Sequence, residues 1–115
     1  MSYRVFILPE AYEEIYKAAE SYSEEFEGGD DNFMAAVEAS LERIEQMPTR
    51  GTRRHDTDPD VRGLRVEAAK RSRAYAKKFP FLLIYKVYED KEKVVVYQLW
   101  PEKSNWNIRD APPEK

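Results

Sequence analysis

The chain contains no cysteine. That excludes disulfides and thiolate metal sites, and it fits a cytoplasmic protein. There is a single histidine, His55, in a polar stretch and without a second imidazole or thiol, so no metal role is expected for it. No apolar run approaches the length of about 18 residues that a membrane-crossing helix needs. The opening MSYRVFILPEAYEE lacks the charged-then-apolar pattern of a secretory leader, its apolar run being only Val5 to Leu8. There are no internal repeats and no linker. At 115 residues the expectation is one domain over residues 1–110 with a loosely held tail over 111–115.

What is present is charge, unevenly distributed. Charged residues make up 36% of the chain and the net charge is −3. Residues 1–48 hold 3 Lys/Arg against 12 Asp/Glu. Residues 49–78 reverse this, with 10 against 4, and residues 79–115 balance at 6 and 6. Such blocks describe solvated helix faces and a loop, or equally a positive patch on an acidic body that suits an anionic partner.

Apolar spacing then sets the order of elements. Tyr3 to Leu8 reads as a strand, and Pro9 ends it while suiting the first turn of a helix. Glu10, Glu13 and Glu14 follow, where carboxylates favour the positive end of a helix dipole. Tyr12, Ile15, Ala19, Tyr22 and Phe26 form one stripe of that helix, which Gly28 and Gly29 end. Asp30, Asp31 and Asn32 offer caps for a second helix with the stripe Phe33, Val37, Leu41 and Ile44, flanked by Ala36 and Ser40. Met47 and Pro48 close it, and the short link predicts an antiparallel helical hairpin. Thr49 to Asp60 reads as a polar loop.

Val61 to Val66 begins a further strand. Residues 67–78 suit a helix or a basic hairpin arm equally. Phe81 to Tyr88 and Val94 to Trp100 are strands joined by a charged turn. Phe81, Leu83, Tyr85 and Val87 alternate with Leu82, Ile84, Lys86 and Tyr88, so both faces are apolar at the start and the strand belongs inside a sheet. The expectation is an α+β fold: an N-terminal strand, the hairpin, then a mainly antiparallel three-strand sheet in the order β-α-α-β-β-β.

The opening YRVFILPEAYEEI, the helix ending LERIEQMP, the segment VRGLRV, and KKFPFLLIYKVYED followed by KVVVYQLW resemble, in order and spacing, the RelE/ParE superfamily of type II toxin–antitoxin toxins. Phe79-Pro80-Phe81 with Ile84-Tyr85 is similar to that family's FPY-x-I-x-Y signature. The resemblance implies a cytoplasmic growth-inhibiting toxin with a cognate antitoxin, and no cofactor, metal or membrane. It leaves two mechanisms. RelE-like members cut mRNA in the ribosomal A site, a ribonuclease-like reaction that needs cations against the developing phosphate charge. Its candidates here are Arg62, Arg65, Lys77, Lys78 and Lys103. ParE-like members bind DNA gyrase and need only an interface. Arg62, Arg65, Lys70, Arg71, Arg73, Tyr75 and Trp106 are candidates for holding antitoxin or target. Trp100 reads as the end of a core strand.

Departures from the family pattern, together with the chain's charge, favour the gyrase-directed reading. Leu82 stands where family members often carry an Arg. Trp100, Pro101, Glu102 and Lys103 replace the usual His and Arg at the end of the last strand. The sequence pI is about 5.3, against the basic character that ribosome binding favours. The stretch from Arg62 to Phe79 is also longer than usual. A third possibility is a toxin-fold interaction module without toxicity.

Overall fold

The computed structural model describes residues 3–25, 27–53, 58–68 and 78–102. Strand β1 (Arg4–Ile7) leads into helix α1 (Pro9–Glu25), and helix α2 (Gly29–Gln46) follows after a three-residue link. A single 3-10 turn (Pro48–Arg50) and the two-residue strand β2 (Thr52–Arg53) precede β3 (Val61–Glu67), β4 (Lys78–Tyr88) and β5 (Lys93–Pro101). The sheet has five strands in the order β1-β5-β4-β3-β2. The pairs β2–β3, β3–β4 and β4–β5 are antiparallel, whereas β1 lies parallel to β5. The three consecutive strands expected from the sequence are therefore its middle, widened by β1 on one side and β2 on the other.

Both helices pack on one face. Ala11, Ile15, Ala18 and Ala19 of α1 and Phe33, Ala36, Val37 and Ile44 of α2 are buried with Leu83, Tyr85, Val87, Val94, Val96 and Leu99. Small alanines make up most of the buried face of α1, and the aromatic bulk gathers where its last turns meet α2 and β4. Tyr22 stacks on Phe33, and the edge of Phe79 meets both, with centroids 5.1 to 5.3 Å apart.

Several local expectations shift. Tyr12 is not in the stripe but 43% exposed, stacked on the exposed Tyr16. Ala11 and Ala18 take the buried positions, because the helix meets the sheet about one residue earlier than the aromatic spacing suggested. Phe26 lies outside the described residues. Gly28 and Gly29 do not end α1. Gly28 sits at φ 78° as the cap of α2, and Gly29 is its first residue. That left-handed backbone is open to glycine at little cost. Asp30, Asp31 and Asn32 are consequently in the first turn rather than capping it, where the two acids still face the positive end of the dipole. The Thr49 to Asp60 stretch contains the end of the 3-10 turn and β2.

Strand β4 runs through the middle of the sheet and carries Pro80, which cannot donate to a ladder. The pairing with β3 is interrupted there, between Arg65↔Leu82 and Glu67↔Lys78. On the other side the Pro80 carbonyl accepts the Glu102 amide at 2.9 Å. A second irregularity lies in β5. Ile84 pairs with Gln98 and Tyr85 with Val96, leaving Tyr97 as an extra residue. That bulge resets the alternation: Val94, Val96 and Leu99 face the helices, while Tyr97 and Trp100 face away.

Candidate functional site

The face of the sheet opposite the helices is where the sequence candidates and the structure meet. Leu82 and Ile84 alternate with Leu83 and Tyr85 and so point away from the hairpin. With Val61, Tyr97 and Trp100 they form a second buried cluster, against which Leu8 packs. Among the described residues this cluster consists of strand residues and Leu8 alone. Leu82 is 5% exposed and Trp100 is 7% exposed, so Trp100 is indeed the end of a core strand, but on the second face.

Polar groups ring this apolar centre. Arg65 pairs in register with Leu82, and its guanidinium forms an ion pair with Glu102. At the other end Lys86 meets Asp58 at 2.9 Å. That bond holds the Lys86 ammonium above its usual pKa, against a smaller opposing effect of burial. Lys86 and Lys93 also lie over the Tyr88 ring, 5.3 and 5.2 Å from its centre, and Arg4 lies 5.8 Å over Phe6.

Arg62 is placed differently. It pairs with Tyr85, on the face toward the helices, and donates to the Gly51 carbonyl at 2.8 Å and the Thr49 carbonyl at 3.3 Å. Arg62 and Arg65 belong to one candidate set by sequence, but their odd spacing along the strand puts them on opposite faces. Arg62 braces the turn that follows α2. Tyr85 braces the same turn from below, its hydroxyl donating to the Pro48 carbonyl and accepting from the Gly51 amide. Burial raises its phenol pKa; the Gly51 hydrogen bond and the Arg62 charge act weakly the other way.

Arg43 is not among the candidates that the sequence offers. It donates to the Glu67 carbonyl at 2.9 Å and the Ala68 carbonyl at 3.0 Å, joining the last turn of α2 to the end of β3. Ser40 beside it accepts the Glu67 amide at 3.1 Å. The signal was present as a buried-stripe serine one turn before an arginine. Between α2 and β3 lies an open cleft of about 560 Å³, lined among others by Glu42, Arg43, Arg50, Leu64 and Arg65.

Lys78 begins β4. Lys70, Arg71, Arg73, Tyr75, Lys77, Lys103, Trp106 and His55 lie outside the described residues. Among the described residues there is no group of three or more His, Cys, Asp or Glu side chains that could hold a metal ion, and no helix long and apolar enough to cross a membrane.

Comparison with known proteins adds to this geometry. The family model for the ParE toxin of type II toxin–antitoxin systems matches residues 5–106. Among solved structures, the chain is similar to a double arginine-to-alanine mutant of the Escherichia coli toxin RelE in the free state, with a TM-score of 0.56 and 16% identity. That match covers 91% of this chain and 88% of the other, and at such identity it speaks to the shared fold. No curated protein matches the chain.

Proposed function

The chain belongs to the ParE toxin family of type II toxin–antitoxin systems, and from that membership we propose that it arrests growth by binding DNA gyrase and stabilising its cleaved complex with DNA, without chemistry of its own. Membership also implies an antitoxin as its protein partner. The basic stretch 49–78 is the natural receiver of an acidic antitoxin segment, since opposite charge speeds encounter and fixes register. The reading places the protein in the cytoplasm, where gyrase works.

The observation that carries this reading is Leu82. The superfamily resemblance puts an arginine at that place on the strand, where a nuclease would use it against phosphate charge. Here the side chain is apolar and buried among Val61, Ile84, Tyr97 and Trp100. A buried apolar cluster at the centre of the face gives developing negative charge nothing to lean on, which favours a binder over a nuclease.

The test is expression without the antitoxin, paired with purified toxin and gyrase. Filamentation, a DNA-damage response and trapped gyrase–DNA cleavage products support the proposal. Rapid translation arrest with cleaved transcripts would replace it with the ribosome-dependent endonuclease. Normal growth would replace it with a non-toxic interaction module.

A further inference from the structure

Glu102 sits on Arg65. The two side chains form an ion pair, and they are 41% and 33% exposed. The carboxylate is not carried by a loose end: the Glu102 amide is bonded to the Pro80 carbonyl of β4, and Arg65 is fixed in register against Leu82. Beside the pair lies a cleft of about 230 Å³ whose lining includes Arg50, Gly51, Gly63, Arg65, Glu67 and Leu82. Arg50 is exposed. Two arginines are among the lining residues, and guanidinium groups match the oxygens of a phosphate diester. The anion that Arg65 meets instead belongs to the chain itself.

We propose that this cleft is a phosphodiester-binding site whose arginine is occupied by Glu102, and that Glu102 is therefore a specificity-determining residue that disfavours nucleic-acid backbones. A carboxylate on Arg65 must be displaced before a phosphate can take the same fork. The chain's net charge of −3 already opposes nucleic acid at long range; Glu102 opposes it at contact. This inference does not rest on gyrase as the target, and it stands or falls separately.

The experiment measures anisotropy of a labelled single-stranded DNA of about 12 nucleotides, a length within the usual span of single-strand sites. Wild type, E102Q, the double variant R65Q/E102Q and E89Q are compared at several salt concentrations. Glu89 is exposed in the turn after β4, so E89Q removes the same charge at the other end of the sheet. E102Q should bind about three- to tenfold more tightly, the size of one partly exposed charge-assisted hydrogen bond. Its salt slope should steepen by about 0.7, one added phosphate contact on a single strand. The double variant should lose both gains, and E89Q should remain close to wild type. If E102Q behaves like E89Q, or keeps its gain when Arg65 is gone, the site does not exist.

Discussion

The hydroxyl of Tyr85 lies 3.0 Å from the amide nitrogen of Gly51, across 34 positions of sequence, and a Cβ added at Gly51 would meet that oxygen at 2.3 Å. The Gly51 backbone is extended, at φ −69° and ψ 155°, so any residue could adopt it. Space, not conformation, requires glycine here. The contact ties the exit of α2 to the middle strand, and so sets where β2 and the small cleft begin.

Gly51→Ala should therefore destabilise the fold by about 2 to 3 kcal/mol, the usual cost of overpacking a buried site. Tyr85→Phe should cost about 1 to 3 kcal/mol by leaving the Gly51 amide and Pro48 carbonyl without their partner. The double variant should lose less than the two changes added together, because removing the hydroxyl also makes room for the methyl. Urea unfolding of the four proteins measures this coupling; strict additivity would show the contact to be energetically idle.

The same phenol makes stability fall in alkali. Burial raises the Tyr85 pKa in the folded state, so above the ordinary phenol value near 10 the unfolded chain releases this proton while the folded chain keeps it. The contribution is intact below that pH and is lost as pH climbs toward the raised folded value. Ultraviolet absorbance should show a phenol ionising late and together with unfolding. Tyr85→Phe should flatten the decline of stability above pH about 10; an unchanged slope would assign the loss to other groups.

Leu83 and Ile84 occupy the two faces of β4 and both are fully buried. Leu83→Asp or Ile84→Asp should each cost several kcal/mol, about 3 to 5, since each puts a carboxylate into a buried apolar cluster. The expected result is insoluble protein or a lost thermal transition. A soluble variant that melts like wild type would contradict the placement of that strand.

Antitoxin binding supplies a further expectation, drawn from charge along the chain. Reversing Arg71 and Arg73 to Glu should weaken antitoxin binding by about tenfold or more while leaving the melting temperature close to wild type, because the charge of a basic stretch acts on an acidic partner through long-range attraction. Equal antitoxin affinity for both proteins, measured by calorimetry at low salt, would remove the basic stretch from that interface.

Much of this protein is written locally. Alternation over Phe81 to Tyr88 determined a strand buried on both faces, since period two is a property of the extended backbone itself. The spacing of Phe33, Val37 and Ile44 determined the buried side of α2 in the same way. The order of motifs carried the family resemblance. Pairing partners are another matter, because they join residues far apart in sequence. Only the tertiary structure set β1 beside β5, gave Arg62 and Arg65 their partners, and aimed the Tyr85 hydroxyl at Gly51. The bulge at Tyr97 shows why. Unbroken alternation would group Trp100 with Val94 and Val96 under the helices, but one extra residue against Ile84 turns Trp100 to the opposite face. Such a slip depends on how two strands register against each other, and neither strand's own pattern contains it.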